Sequence, residues 1–142
     1  PLMVVGTHIA VAGRYDTAAG VAALVPFFLV SALLLLNQFP DVEADRAVGR
    51  RHLPIAWGRP RAALVFVALY ALAYLSLVAG VLAGALPWPC LLGLVTLTLA
   101  VPAARDVLRH PDDVKALLPA MGRNVMVNLA TPVLVATGLF VG

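Results

Sequence analysis

The sequence predicts an all-α membrane protein, a transmembrane helix bundle of four complete spans preceded by a truncated one. The chain is 62% hydrophobic and only 12% charged, so it has too few polar side chains to cover a soluble domain of its length. Each of its long apolar runs falls within the roughly 17 to 25 residues that a membrane-spanning helix needs. These runs do not alternate apolar with polar residues, as the shorter strands of a membrane barrel do. Helices are therefore the predicted elements throughout.

The apolar runs define the elements in chain order. The first stretch, residues 2–12, begins directly after Pro1 and is interpreted as the end of a helix cut in two. The four complete spans are predicted at residues 17–36, 62–83, 88–104 and 125–141. Trp88 opens the third span between two prolines, where an indole favours the headgroup level.

The basic residues predict the orientation of the bundle. Nine of the ten Lys and Arg residues lie in two connections, 37–61 and 105–123, whereas the turn at 84–89 has none. Because Lys and Arg are retained on the cytoplasmic side, both connections are predicted to face the cytoplasm in a multi-pass protein of the plasma (inner) membrane. The net charge of +3 does not indicate nucleic-acid binding, since the basic residues form neither a tail nor a patch interleaved with aromatic residues.

Small residues in the spans are interpreted as packing elements. Cys90 is the only cysteine, which excludes an internal disulfide, and it is expected to be an apolar filler. Gly80 and Gly84 have the G-x-x-x-G spacing that brings two membrane helices close together. Neither feature indicates a reactive site.

The densest polar segment begins where the first complete span ends. On a helix, residues four apart share a face, so Asn37, Asp41 and Asp45 are predicted to form one polar stripe. Two carboxylates one turn apart repel, and Mg²⁺ typically binds one or two carboxylates together with phosphate oxygens. The stripe is therefore a candidate site for a metal and a diphosphate. Three arginines follow that could contact the remaining phosphate charge: Arg46, Arg50 and Arg51.

Other interpretations of the polar stripe stay open at this point. An acidic and basic connection between membrane helices is often a solvated connector whose arginines determine topology. Asn37, Asp41 and Asp45 could also form a cation site in a membrane transporter or ion carrier. A non-catalytic membrane scaffold, whose acidic connection docks a partner, is a further alternative.

Two more polar residues are candidates near the last span. Asn128 follows Asn124 by one turn and could line a cavity, with interhelical hydrogen bonding as the alternative explanation. Arg123 could approach a diphosphate from the second basic connection, with retention of that connection inside the cell as its alternative.

The polar segment resembles the second aspartate-rich motif of UbiA-type prenyltransferases. The string that carries this resemblance is Asn37-x-x-x-Asp41-x-x-x-Asp45-Arg46-x-x-Gly49-Arg50-Arg51, followed by Leu53 and Gly58. Within that family the most similar subgroup is the dihydroxynaphthoate prenyltransferases of menaquinone synthesis, which also resemble this chain over residues 1–7. The subgroup commonly has Lys-Arg-Thr where this chain has Arg50, Arg51 and His52.

The resemblance implies a fold of nine membrane helices around a central cavity. Residues 1–142 would be the C-terminal fragment of this single transmembrane domain, with its N-terminal half missing. It implies that Asp41 and Asp45 are catalytic residues that bind Mg²⁺ and a prenyl diphosphate, with Asn37 as their polar neighbour. The implied reaction is Mg-dependent transfer of a polyprenyl group to an aromatic acceptor, a quinone precursor such as dihydroxynaphthoate. This chain lacks the first aspartate-rich motif, so the fragment alone is expected to be inactive without the N-terminal half of the same enzyme.

Overall fold

The computed structural model describes residues 2–14 and 16–142, and this part of the chain contains helices and no strands. The helices are α1 Leu2–Ala12, α2 Thr17–Ala47, α3 Leu53–Trp57, α4 Arg59–Leu82, α5 Leu97–Arg109 and α6 Val114–Val141; a 3₁₀ segment, Trp88–Thr96, runs directly into α5. Four stretches are long and apolar enough to cross a membrane, namely Thr17–Ala47, Arg59–Leu82, Trp88–Arg109 and Val114–Val141. The predicted all-α bundle, with a shorter helix before four spans, is confirmed; Pro1 lies outside the described residues.

Several helix ends differ from the predicted ones. The first span continues as helix to Ala47, and α6 already begins at Val114, so the second basic connection shrinks to residues 110–113. Asp113 is the N-cap of α6, and its carboxylate accepts hydrogen bonds from the backbone N–H groups of Lys115 and Ala116, at 3.0 and 3.1 Å. Hydrophobicity reports where a helix meets lipid, but backbone hydrogen bonds continue beyond that boundary. The helices therefore extend beyond the predicted spans, which mark only their apolar parts.

Neighbouring long helices run antiparallel to each other. At the start of α4, Arg59 donates from Nε to the carbonyl oxygen of Phe39, near the C-terminal end of α2, at 3.2 Å. Early in α6, Arg123 forms an ion pair with Asp106 near the end of α5. The C-terminal ends of α2 and α5 and the N-terminal ends of α4 and α6 therefore share one end of the bundle, here called the polar end. Nine of the ten Lys and Arg residues lie at this polar end.

The core of the bundle lies between α2, α4 and α6. Its largest fully buried side chains are Phe39, Phe66, Leu29, Leu36, Leu77 and Leu117. Glycines allow the closest helix approaches. A Cβ added to Gly138 would overlap the backbone of Cys90, and one added to Gly80 would lie 2.6 Å from Cγ1 of Val21.

The two glycines of the G-x-x-x-G pair have different roles. Gly80 packs between helices as predicted, whereas Gly84 lies in the turn after α4 with a φ of 71° and nothing within 4 Å of an added Cβ. Cys90 is fully buried, as expected of an apolar filler, and its thiol donates a long hydrogen bond to the Val135 carbonyl oxygen. Trp88 is 73% exposed at the end of the bundle opposite the polar end, which suits an anchor in the headgroup layer.

Candidate functional site

The polar stripe lies on one continuous helix. Because α2 continues through Pro40 to Ala47, the four-residue spacing does bring Asn37, Asp41 and Asp45 onto a common face. Asn37 and Asp41 are exposed, and Asp45 is half-buried at the edge of this face. The opposite face of the same turns packs into the core through Phe39 and Val42. The stripe is therefore on the side of α2 that the rest of the described chain leaves uncovered.

The same face of α2 becomes apolar away from the polar end. Phe27, Val30 and Leu34 continue the line of the stripe at helical spacing and are 43%, 45% and 59% exposed. They line an open groove of about 470 Å³ between α1 and α2, to which Met3 and Val4 contribute from α1. This uncovered surface thus has carboxylate and amide side chains at one end and apolar side chains along the rest.

A left-handed glycine ends α2 and turns the chain back towards Asp45. Gly49 has a φ of 76°, a conformation that favours glycine over every residue with a Cβ. The Gly49 N–H donates to the carbonyl oxygen of Arg46 at 3.1 Å, and the Arg50 N–H donates to that of Asp45 at 2.9 Å. This pair of bonds is the Schellman arrangement, which satisfies the last carbonyls of the helix. The backbone conformation that ends α2 therefore explains the glycine at this position of the motif.

Two residues beyond this turn hold the Asp45 carboxylate. Arg50 donates from Nη1 to Oδ1 at 3.0 Å, and the ring Nε2 of His52 lies 3.1 Å from Oδ2. The two partners differ in exposure: the Arg50 side chain is 72% exposed and that of His52 only 13%. Asp41, in contrast, forms no ion pair with another residue that the structure describes. One carboxylate of the stripe is thus held in place and the other is free.

The remaining predicted phosphate ligands lie in different surroundings. Arg46 is 3.7 Å from the Glu43 carboxylate, with both side chains largely exposed, and Arg51 is exposed. Arg123 pairs with Asp106 and so joins α6 to α5. Of the four arginines predicted to bind phosphate, Arg50 is the one for which the structure describes a contact with a residue of the stripe. Their binding of a diphosphate stays a prediction.

Two residues near the stripe were missed by the sequence interpretation. His52 was not among the predicted site residues, yet it contacts Asp45. Arg59 is half-buried and binds the Phe39 carbonyl oxygen one residue before Pro40. The sequence shows a glycine before each of them, Gly49 before His52 and Gly58 before Arg59, but not the positive φ with which each glycine redirects the chain.

Asn128 belongs to a polar network inside the bundle. The Tyr70 hydroxyl donates to the side-chain oxygen of Asn124 at 2.8 Å, and the Asn128 amide donates to the backbone oxygen of Asn124 at 3.0 Å. A second chain joins the hydroxyls of Tyr74, Thr96 and Thr131. For Asn124, these contacts support interhelical hydrogen bonding. A place for Asn128 in the wall of a cavity stays a prediction.

The side chains of the stripe suit a hard cation. Two carboxylates and one amide supply only oxygen, which Mg²⁺ prefers, whereas zinc sites use nitrogen and sulfur. Among the described residues, no three His, Cys, Asp or Glu side chains lie close enough together to hold a metal. The stripe therefore fits a partly hydrated Mg²⁺ that takes further ligands from a phosphate, and it does not form a closed metal site by itself.

Comparison with known proteins gives one family and one curated relative. The sequence profile described as "UbiA prenyltransferase family" matches residues 1–126. The digeranylgeranylglyceryl phosphate synthase of Thermococcus onnurineus (strain NA1) is 43% identical over 63 residues, which are 44% of this chain. The aligned stretch spans 22% of that relative's length. No solved structure gives a significant match to this chain.

Proposed function

Because the chain belongs to the UbiA prenyltransferase family, we propose that it carries the second aspartate-rich site of a Mg-dependent membrane prenyltransferase. The enzyme would transfer a polyprenyl group from prenyl diphosphate to an aromatic acceptor, a quinone precursor such as dihydroxynaphthoate. The N-terminal half of the same enzyme would supply the remaining diphosphate ligands, and this chain alone would be inactive. The polar end would face the cytoplasm across the plasma membrane, since nine of the ten basic residues lie there.

The observation that carries this proposal is the two-part surface of α2. A prenyl diphosphate has an anionic head and a long apolar tail. Asp41 and Asp45 would hold the head through a metal at the polar end, and the exposed Phe27, Val30 and Leu34 side chains would contact the tail. A solvated connector or a docking loop needs no apolar groove that continues the line of its acidic residues, so the groove supports the enzyme over those alternatives.

Each group on the surface has a defined task in the proposed reaction. When bound, Mg²⁺ neutralises the departing diphosphate and so promotes cleavage of the bond between the prenyl carbon and oxygen. Asp41 and Asp45 would be its carboxylate ligands, with Asn37 as a neutral oxygen beside them. The exposed Arg46 and Arg51 would contact the phosphate oxygens that the metal leaves free. The acceptor ring would take the prenyl carbon and release a proton.

The apolar groove would protect the reacting carbon from water. An allylic carbon that loses its diphosphate becomes electron-deficient, and water would capture it as readily as the acceptor would. The side chains of Leu34 and Val30 offer no oxygen or nitrogen atom to that carbon, and the Ser31 hydroxyl between them donates to the Phe27 carbonyl oxygen. An apolar wall beside the reacting carbon would therefore favour transfer over hydrolysis.

A glyceryl phosphate is the second candidate acceptor. The aligned relative is named as the synthase of a digeranylgeranylglyceryl phosphate, and its 43% identity over 63 residues favours this alternative. A glyceryl phosphate is neither aromatic nor a quinone precursor. Parallel assays of the intact protein with each acceptor class would distinguish the two.

We expect Asp41→Asn to test the proposed function most simply. The substitution keeps the size of the side chain and removes a charge that no described residue neutralises. Prenyl transfer by the intact protein in detergent should fall by about 10²- to 10³-fold, the range seen when a group that stabilises developing charge is removed. Transfer would be followed with a radiolabelled prenyl diphosphate and excess Mg²⁺.

Glu43→Gln is the matched control for this measurement. Glu43 is also an exposed carboxylate on α2, but it lies off the stripe and pairs with Arg46. Its substitution should change transfer by no more than about twofold, since exposed ion pairs contribute little. Equal activity of Asp41→Asn and Glu43→Gln would contradict the proposed site.

A further inference from the structure

The two partners of Asp45 are unequal, and this asymmetry suggests separate roles. Resting on the proposed function, we propose that His52 is a positioning residue that fixes the Asp45 carboxylate for metal binding. We further propose that Arg50 is an exchangeable cation, which pairs with Asp45 until a divalent metal arrives and then binds the phosphate. The motif would thus contain its own counter-ion for the ligand-free state.

His52 is held rigidly enough to position another side chain. Its side chain is 13% exposed, and its backbone precedes α3, where its carbonyl oxygen accepts from Ile55 and Ala56 at 3.0 and 2.9 Å. The helix that follows is tied to the core by the buried Pro54. Ring Nε2 therefore reaches Oδ2 of Asp45 from a fixed backbone position, as the groups that orient metal-ligating carboxylates do.

Arg50 makes its contact in a different manner. Its backbone N–H is fixed by the bond to the Asp45 carbonyl oxygen, but its side chain is 72% exposed. The Asp45 carboxylate is only 16% exposed, but the guanidinium end of the pair is open to water and can leave Oδ1 at modest cost. A divalent ion at Oδ1 would repel it. The released guanidinium would remain anchored next to the site, with a geometry suited to two phosphate oxygens.

The arrangement also has a purely structural explanation. Arg50 and His52 could simply fasten α3 to the end of α2, with no consequence for a ligand. In that case, loss of either residue would leave metal affinity unchanged or lower it. An exchangeable cation makes the opposite prediction, because removing a competitor raises the affinity for the metal alone.

Binding of Mn²⁺ to the intact protein, measured by electron paramagnetic resonance, separates these explanations without an activity assay. We expect Arg50→Gln to bind Mn²⁺ alone about two- to fivefold more tightly, the range that corresponds to loss of one exposed pair. The same variant should bind inorganic diphosphate, in the presence of Mn²⁺, roughly tenfold more weakly. Arg61→Gln is the control, since it removes an exposed charge from the same end of the bundle without touching Asp45.

His52 is tested by loss and rescue. His52→Leu should weaken Mn²⁺ binding by roughly 10- to 100-fold, as removal of groups that orient metal ligands does. His52→Gln keeps a donor of similar reach and should restore binding to within about threefold of the unchanged protein. If His52→Leu fails to fold, His52→Asn, an amide of shorter reach, takes its place in the comparison with His52→Gln.

The outcomes distinguish failure of this inference from failure of the proposed function. If Arg50→Gln binds Mn²⁺ no more tightly than Arg61→Gln, or His52→Gln binds no better than His52→Leu, the inference is wrong. That conclusion would leave the site intact as long as Asp41→Asn and Asp45→Asn abolish Mn²⁺ binding. If those two variants still bind Mn²⁺ normally, the proposed function itself is wrong.

Discussion

At the residue scale, the geometry around Asp45 depends on one backbone conformation. Gly49 occupies the left-handed region with a φ of 76°, and only this turn directs Arg50 and His52 back to the carboxylate. An added Cβ at Gly49 would meet nothing within 4 Å. Any cost of substitution there is therefore conformational and not steric.

Gly49→Ala should consequently lower the free energy of unfolding by about 1–2 kcal/mol, the cost of a left-handed conformation for a residue with a Cβ. It should also weaken Mn²⁺ binding, because His52 would lose its position. Thermal unfolding in detergent measures the first effect. Gly122→Ala is the matched control, since Gly122 lies within α6 with nothing within 4 Å and no positive φ. That control should be stabilising by roughly 0.5–1 kcal/mol. A loss of stability in both variants would contradict this explanation.

The residues of the stripe could be predicted from the sequence, but their partners could not. Asn37, Asp41 and Asp45 share a face wherever the segment is helical, so spacing alone was sufficient. The contact between His52 and Asp45 depends on the path of the chain through a turn. Residue spacing does not encode that path until the positive φ of Gly49 is known.

At the element scale, the glycine contacts determine how closely the helices approach. Gly138 on α6 faces the backbone of Cys90, which cannot move aside, whereas Gly80 on α4 faces the side chains of Val21 and Leu86. Side chains change rotamer more easily than a backbone moves. The two glycines therefore differ in their tolerance of a methyl group although both are buried.

Gly138→Ala should accordingly be more destabilising than Gly80→Ala. We expect the Gly138 variant to lose about 2–3 kcal/mol, the upper part of the range for overpacked cores, and the Gly80 variant about 1 kcal/mol. Thermal unfolding of both variants in one detergent gives the comparison. A greater loss for Gly80→Ala would show that the contact between α6 and the 3₁₀ segment is less tightly packed than described.

The number and order of the spans could be predicted, but not the short elements. Four long apolar runs can only be helices in lipid, because every backbone polar group must be paired within the segment. The helix α3 and the 3₁₀ segment Trp88–Thr96 were missed. Hydropathy does not distinguish one helical hydrogen-bonding pattern from another. The helix α3 has only five residues, which is too short to produce a recognisable hydropathy pattern.

At the scale of the whole molecule, the fold class followed from composition, whereas the uncovered face of α2 did not. Apolar residues cover the surface of a helix that faces lipid and also the wall of a substrate chamber. Phe27, Val30 and Leu34 fit both cases, so no sequence pattern distinguishes them. Their position in line with Asp41 follows from helical spacing, but the uncovered state of this face emerges only from the packing of α2 against α4 and α6.

A competing surface exists elsewhere on the bundle. An apolar cleft of about 430 Å³ lies between α4 and α5, lined among others by Val67, Leu75 and Val101. It contains no carboxylate among its lining residues. The proposed function requires the prenyl tail to bind along α2, next to the polar stripe, and not in this cleft.

The most direct test is photolabelling of the intact protein with a prenyl diphosphate that carries a photoreactive group on its tail. With Mg²⁺ present, the label should appear on the segment of α2 from Phe27 to Leu34. Chelation of the metal or Asp41→Asn should abolish it, and Glu43→Gln should not. Labelling that persists without metal, or that appears on the cleft between α4 and α5, would contradict the account.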